Sequence, residues 1–118
     1  MILIADSGST KTDWCLIGNS GKCLYFKSEG YNPYFSTKSH MIDSIRKSTS
    51  VHIDPMEISK LHFYGAGCEA DKIDLMTEVL SSVFINCKQL HAEVDLLAAA
   101  RGLFGQKSGF AAILGTGT

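Results

Sequence analysis

The stretch that decides the fold is ILIADSGSTKTDWCLI, residues 2–17. It opens with an apolar run, residues 2–5, which is followed by Asp6 and by a polar turn at residues 8–11. Trp14 and Leu16 then alternate with Asp13, Cys15 and Ile17. Apolar runs and strict alternation are patterns of β-strands, and Gly, Ser and Thr accept the geometry of tight turns. The stretch therefore predicts two antiparallel strands joined by a hairpin.

The rest of the chain extends this hairpin into an α/β pattern. A second turn at residues 18–21 leads into a third alternating segment, so the first 29 residues predict an antiparallel meander. The predicted elements that follow are a helix from a Ser36 or Thr37 cap to about Ser48, a capped turn at Asp54 and Pro55, a strand at residues 61–66, a helix at 69–84, a strand at 89–94, a helix at 95–104 and a strand at 110–114. This order predicts an α/β fold in which a three-stranded meander leads into parallel β-α crossovers.

Composition narrows the function classes. The chain has 118 residues, 45% of them hydrophobic and 19% charged, which is typical of a compact folded domain. Its net charge of −1 argues against a nucleic-acid-binding surface or an anionic-membrane partner. The apolar runs at residues 96–100 and 110–114 are far shorter than the roughly 20 residues of a membrane-spanning helix. The start lacks the features of a signal peptide, so we expect a cytoplasmic protein.

Cysteine and histidine spacing predicts neither a disulfide framework nor a metal site. The four cysteines contain no C-x-x-C pair, and we interpret them as buried thiols: Cys15, Cys23, Cys68 and Cys87. A disulfide framework would need an oxidising compartment that nothing else in the sequence indicates. The four histidines contain no H-x-H or H-E-x-x-H spacing and are interpreted as ordinary surface or core residues: His40, His52, His62 and His91.

The first candidate site is the turn after the first strand. Gly8 lets backbone N–H groups approach an anion, and Ser9, Thr10 and Thr12 add hydroxyl donors. Asp6 beside phosphates implies an intervening Mg²⁺, held through water. The turn is neither a Walker A motif nor a dinucleotide loop, since it leads into a strand and lacks both spacings. A polar hairpin turn without a ligand is the open alternative.

Two further features point to the same chemistry. An apolar strand at residues 110–114 enters Gly115-Thr116-Gly117-Thr118, and two such strand-to-glycine turns suggest two cradles for one polyphosphate. Asp95 stands where a predicted strand meets a predicted helix, whose dipole favours an ionised carboxylate suited to accept a proton from a hydroxyl. A ligand-free hairpin and a simple helix N-cap are the respective alternatives.

Five motifs in this order resemble one family: Asp6-Ser7-Gly8-Ser9-Thr10-Lys11-Thr12, Gly30-Tyr31-Asn32-Pro33, Tyr64-Gly65-Ala66-Gly67, residues 94–100 and Leu114-Gly115-Thr116-Gly117-Thr118. The family is that of the BadF/BadG/BcrA/BcrD-type ATPases and N-acetylglucosamine kinases, within the actin, hexokinase and Hsp70-like superfamily. Ser7 and Ser9 stand where the family more often has glycine.

The resemblance implies a ribonuclease H-like lobe, of the actin-like ATPase type, that works with ATP and Mg²⁺. It implies that residues 6–12, including Lys11, form the first phosphate loop and that residues 115–118 form the second. It further implies that Asp95 is the general base and that Asn32 contacts the sugar. Gly65, Ala66 and Gly67 would let the backbone approach the substrate.

The leading hypothesis is a sugar kinase that phosphorylates an amino sugar such as N-acetylglucosamine, with the sugar and ATP as partners and a homodimer left open. The first alternative is an activator ATPase of an acyl-CoA dehydratase or reductase, whose relatives carry iron–sulfur cysteines. The second is a noncatalytic sugar sensor, which the presence of both Asp6 and Asp95 disfavours. A nuclease would need several convergent carboxylates, and the strand ending at Gly65 offers none at its tip.

The domain prediction follows from the last residues. Thr118 falls inside the second phosphate turn, so we expect the N-terminal part of a longer protein. Residues 1–107 would form one lobe, and residues 108–118 would be the first strand and phosphate turn of a second lobe that is otherwise missing. We expect this piece to fold, to lack kinase activity and to bind ATP weakly at best.

Overall fold

The structure, a computed structural model, describes residues 1–93 as a five-stranded mixed sheet with two α-helices. The elements are β1 (Ile2–Ser7), β2 (Lys11–Ile17), β3 (Cys23–Glu29), α1 (Lys38–Ser50), a 3₁₀ turn (Pro55–Glu57), β4 (Lys60–Gly65), α2 (Asp71–Val83) and β5 (Gln89–Glu93). The predicted order is confirmed as far as β5. The predicted helix at 95–104, the strand at 110–114 and the boundary at residue 107 lie outside the described residues.

The strand order in the sheet is β3-β2-β1-β4-β5. The first three strands pair antiparallel, whereas β4 runs parallel to β1 and β5 runs parallel to β4. The predicted meander followed by parallel crossovers is therefore confirmed. Because β1, β4 and β5 run in the same direction, their carboxyl ends at Ser7, Gly65 and Glu93 lie at one edge of the sheet.

The core lies between the helices and one face of the sheet. Leu3 and Ala5 on β1 share that face with Trp14, Leu61 and Phe63, and all five are buried. The helices contribute apolar side chains that fall at helical spacing, and these are Met41 and Ile45 from α1 and Met76, Val79, Leu80 and Val83 from α2. Full burial of each large side chain contributes roughly 1.5–3 kcal/mol.

Caps set the helix starts. Thr37 is the N-cap of α1, and its hydroxyl accepts a hydrogen bond from the His40 N–H at 3.2 Å. The predicted turn at Pro55 is present, with the Asp54 carboxylate accepting from the Met56 N–H at 3.0 Å. α2 begins after Ala70, whose φ is 52°, so the helix starts two residues later than the predicted Glu69. No helix among residues 1–93 is long and apolar enough to span a membrane.

The four cysteines are free thiols, but they are not all buried as predicted. Cys15 and Cys68 are buried, and burial raises the pKa of each thiol to about 11. Cys87 is half-buried, whereas Cys23 is exposed because it begins the edge strand β3. The prediction is therefore wrong for Cys23. Within the described part of the chain, no group of three or more His, Cys, Asp or Glu side chains could hold a metal ion.

Candidate functional site

Three loops meet at the edge where β1 and β4 end. We call them the phosphate turn (residues 8–11), the Asn32 loop (residues 30–36) and the Gly67 loop (residues 66–70). The Ala66 N–H donates to the Ser7 carbonyl at 2.9 Å, which ties the Gly67 loop to the end of β1. A Cβ on Gly30 would lie 2.1 Å from the Gly8 carbonyl oxygen, so the Asn32 loop touches the phosphate turn backbone to backbone.

The phosphate turn is closed by one short hydrogen bond, in which the Gly8 N–H donates to the Lys11 carbonyl at 2.8 Å. The Gly8 N–H therefore closes the turn, whereas the sequence predicted that it would bind a phosphate. Ser9, Thr10 and Lys11 are exposed. Their hydroxyls and ammonium group are the donors that this turn presents to solvent.

Thr12 lies inside the molecule, although the sequence analysis placed its hydroxyl on a phosphate. Its side chain is buried, and its hydroxyl donates to the Glu29 carbonyl at 2.8 Å. The same hydroxyl lies 2.8 Å from the hydroxyl of Ser7, which is also buried. From the core face of β2, Thr12 thus stabilises the end of the turn through its hydroxyl contacts with Glu29 and Ser7. The signal was available in the sequence, since Thr12 is in phase with Trp14 on the core face of β2.

Asn32 is held in place by its own loop. Its side-chain Oδ1 accepts the Tyr34 N–H at 3.0 Å, and its backbone carbonyl accepts from both Phe35 and Ser36 at 2.9 Å. A Cβ on Gly67, whose φ is +73°, would lie 2.3 Å from that Oδ1. With Oδ1 engaged, the amide NH₂ of Asn32 is the end of this side chain that can donate to a substrate.

Two aromatic residues beside Asn32 were not selected by the sequence analysis. Phe35 is 85% exposed and Tyr34 is 50% exposed. The Lys72 ammonium, near the start of α2, lies 5.3 Å from the centre of the Tyr34 ring. The available signal was a pair of aromatic residues directly after Pro33, in a segment with no apolar periodicity.

Asp6 lies in an electrostatically unfavourable position. It pairs across the strands with Asp13, so two carboxylates are neighbours on the same face of the sheet. Lys11 and Lys27 lie 3.6 and 3.8 Å from Asp13. Burial and the Asp13 charge raise the pKa of Asp6, while Lys11 lowers it by less. Among the residues that the structure describes, none forms an ion pair or a hydrogen bond with the Asp6 carboxylate. Carboxylate oxygens are hard donors, so a bound cation would stabilise the ionised form of Asp6.

The remaining predicted site residues have mixed positions. Gly65 ends β4, and Ala66 begins the Gly67 loop at the same edge. Asp95 and the second turn, Gly115, Thr116, Gly117 and Thr118, lie outside the described residues. Among the residues with a described position, Asp6, the phosphate turn, Asn32 and the Gly65–Gly67 segment converge on one edge of the sheet.

One solved structure is similar to the chain in both sequence and fold. It is the crystal structure of the "Putative N-acetylglucosamine Kinase" from Porphyromonas gingivalis, with 37% sequence identity and a TM-score of 0.75. The match covers 91% of this chain and 38% of that protein, so this chain spans less than half the length of that relative.

A second solved structure shares the fold alone. It is Dom34 from S. cerevisiae, a translation termination-like factor, with 11% identity and a TM-score of 0.52 over 96% of this chain and 34% of Dom34. No protein-family model and no curated protein sequence matches the chain. Three of the five motifs that resemble the BadF/BadG/BcrA/BcrD-type ATPases and N-acetylglucosamine kinases lie at one edge of the sheet, and the 37% identity to the P. gingivalis protein supports this resemblance.

Proposed function

We propose that the chain is the N-terminal, actin-like lobe of an ATP-dependent kinase that phosphorylates a hydroxyl of an amino sugar such as N-acetylglucosamine. The observation that carries the proposal is the joining of the phosphate turn to the Asn32 loop, with backbone contact between Gly30 and Gly8. Phosphoryl transfer depends mainly on holding donor and acceptor in line and on stabilising charge. Two binding loops in direct contact suit that requirement. The 37% identity to a protein described as such a kinase supports the same reaction.

The donors for the phosphates of ATP are Ser9, Thr10 and Lys11, which are exposed on the turn. Gly8 and Thr12 hold the turn's shape from within. The second cradle is assigned to Gly115, Thr116, Gly117 and Thr118. In this proposal residues 1–107 form the lobe, and residues 108–118 begin a second lobe that lies mostly outside this chain.

Asp6 is the residue that would hold Mg²⁺, through water. Its carboxylate fits this role because the nearby lysines pair with Asp13 and its own pKa is raised by burial and by Asp13. Bound Mg²⁺ would offset the charge of the phosphates. Asp6 is expected to fix the position of the ion's water shell beside the turn.

The acceptor side is assigned to Asn32, the Gly65–Gly67 segment and Asp95. The Asn32 amide NH₂ would donate to an oxygen of the sugar, because Oδ1 is engaged by Tyr34. Backbone at residues 65–67 would lie beside the sugar. Asp95 would accept the proton of the attacking hydroxyl as the hydroxyl oxygen bonds to the γ-phosphorus and the bond from that phosphorus to the β–γ bridging oxygen breaks, which releases ADP.

The deciding experiment is a coupled ADP-release assay on the complete kinase with a panel of hexoses and N-acetylhexosamines, read beside ATPase activity without sugar. We expect saturable ADP release that depends on an N-acetylhexosamine. Asp95→Asn should reduce kcat by about 10²-fold or more and leave sugar affinity nearly unchanged. Sugar-independent ATPase activity would favour the activator ATPase, and sugar binding without turnover would favour the sensor.

A further inference from the structure

We propose that Ser7 is a positioning residue that couples nucleotide binding at the phosphate turn to sugar binding at Asn32. The inference rests on the proposed function, because it takes the phosphate turn and Asn32 as the two binding sites. It adds a role for a residue that the sequence analysis noted only as a departure from glycine.

Ser7 contacts the Asn32 loop and the Gly67 loop directly, and it contacts Thr12, the residue that follows the phosphate turn. Its hydroxyl lies 2.8 Å from the Thr12 hydroxyl, just past the phosphate turn, and accepts the Tyr31 N–H of the Asn32 loop at 2.9 Å. Its carbonyl accepts the Ala66 N–H of the Gly67 loop at 2.9 Å. Ser7 is 2% exposed, so water does not replace these partners while the loops stay in place.

The hydroxyls of Ser7 and Thr12 form a hydrogen-bonded chain. Each hydroxyl carries one proton, and the Glu29 carbonyl beside Thr12 can only accept. If Thr12 donates to Glu29, then Ser7 donates to Thr12 and accepts from the Tyr31 N–H. If Thr12 instead donates to Ser7, the Ser7 hydroxyl donates to the Tyr31 carbonyl at 3.5 Å. In the first arrangement the chain runs from Tyr31 through both hydroxyls to Glu29, and every member is paired. Loss of the Ser7 hydroxyl would leave a buried N–H without its acceptor, which is costly in a protein interior.

The chain reaches Asn32 through Tyr31. Tyr31 is fully buried, and its phenol OH lies 2.8 Å from the Ser44 hydroxyl on α1. One end of this residue is therefore fixed to a helix and its N–H is fixed to Ser7. Asn32 is the next residue, so its direction follows from how Tyr31 is held. A ligand that orders the phosphate turn also fixes Ser7, Thr12 and Gly30 and thereby keeps Asn32 ready for the sugar.

The test measures this coupling directly in the complete kinase. Calorimetry gives the affinity for N-acetylglucosamine with and without saturating Mg²⁺ and the nonhydrolysable analogue adenosine 5′-(β,γ-imido)triphosphate. We expect the analogue to raise sugar affinity about fivefold or more in the unaltered protein, and Ser7→Ala to bring this ratio close to one. Exchange of the Tyr31 amide hydrogen should also become faster in Ser7→Ala.

Thr49→Val is the matched control. Thr49 is also a buried hydroxyl, which bonds the Ile45 carbonyl at 2.7 Å in α1, away from the three loops. It should lower the melting temperature and keep the coupling ratio, which separates coupling from general destabilisation. Ser7→Thr, which retains the hydroxyl, should preserve the ratio if the buried site admits its methyl group.

The outcomes separate this inference from the proposed function. If both ligands bind and Ser7→Ala retains the ratio, or if the unaltered protein has a ratio of one, the coupling role of Ser7 is overturned and the kinase proposal stands. If the unaltered protein binds neither ligand, both are overturned. Loss of the ratio in Ser7→Ala together with its retention in Thr49→Val supports the inference.

Discussion

The two hairpin turns of the meander have similar chemistry and different surroundings. The phosphate turn closes with the Gly8 N–H on the Lys11 carbonyl at 2.8 Å, and the turn at residues 18–22, here the distal turn, closes with the Gly18 N–H on the Lys22 carbonyl at 2.9 Å. A Cβ on Gly21 of the distal turn would meet nothing within 4 Å, whereas Gly30 packs directly against the phosphate turn. The packing of other loops, and not the turn's own sequence, therefore distinguishes the turn with a candidate function.

The largest expected effect is on catalysis. If the proposed kinase function holds, Asp6→Ala should reduce Mg²⁺-dependent, sugar-dependent ADP release by about 10²–10³-fold, because the ion would lose its fixed position beside the phosphates. Asn19→Ala in the distal turn should leave the rate unchanged. Circular dichroism should give the same folded signal for both. Normal turnover in Asp6→Ala would remove the difference in function between the two turns.

The second largest effect is on folding stability, and it tests how the Asn32 loop packs on the phosphate turn. Gly30→Ala would place a Cβ 2.1 Å from the Gly8 carbonyl oxygen and 2.8 Å from the Lys11 nitrogen. Both are backbone atoms that cannot rotate away, so we expect a loss of about 3 kcal/mol in the free energy of unfolding, at the upper end of overpacking costs.

Gly18→Ala is the control for that experiment. Its Cβ would lie 3.6 Å from the Lys22 carbonyl oxygen, an ordinary contact, so its stability should change by less than about 0.5 kcal/mol. Urea unfolding of the 118-residue chain measures both. Equal losses in the two variants would mean that the Asn32 loop does not pack on the phosphate turn as described.

Local patterns were enough to predict the meander and the two helices. Alternation in β2 and helical spacing at Met76, Leu80 and Val83 are local signals, and the structure follows them. Parallel crossovers after the meander also followed from element order, and the structure shows that β4 pairs with β1. The patterns therefore predicted the types and the order of the elements.

Side-chain roles at the edge were harder to predict because they depend on contacts between distant segments. Ser7 and Tyr31 are 24 residues apart, and their hydrogen bond leaves no trace in either local pattern. The sequence predicts Thr12 as a ligand donor, because hydroxyl residues in and beside a turn cannot be told apart without the face of the strand on which each one lies. In the structure the Thr12 side chain is buried. The burial of Cys23 was predicted wrongly, because the order of strands in the finished sheet decides which strand is an edge strand.

A third, smaller effect compares two glycines with positive φ. Gly67 has φ +73° and Gly21 has φ +86°, so alanine is strained at both positions. Gly21→Ala should cost about 1 kcal/mol from backbone strain alone. Gly67→Ala should cost about 2 kcal/mol, because its Cβ would also lie 2.3 Å from Asn32 Oδ1.

Kinetics separates the two variants further. Displacing Asn32 should raise KM for the sugar in Gly67→Ala and leave it unaltered in Gly21→Ala. Urea unfolding and steady-state kinetics of the proposed kinase provide the two readouts. A Gly67→Ala protein with normal sugar KM would show that Gly67 does not set the position of Asn32.

The smallest effect concerns the cost of keeping Asp6 beside the phosphate turn. Burial and Asp13 raise its pKa above the ordinary value of 3.8, so the folded state disfavours the ionised carboxylate. Above the raised pKa the carboxylate is ionised in both states and folding is penalised, whereas below 3.8 it is neutral in both and the penalty is gone. Asp6→Asn should therefore stabilise the chain at pH 7, by roughly 0.5 kcal/mol once solvent screening of this partly exposed group is considered, and the gain should vanish near pH 3.

Asp43→Asn, which removes an exposed carboxylate 3.0 Å from Lys47, should give no such gain. Urea midpoints at the two pH values measure the difference. An Asp6→Asn protein that is no more stable than the unaltered chain at pH 7 would contradict the inference that the Asp6 carboxylate beside the phosphate turn lowers the stability of the fold.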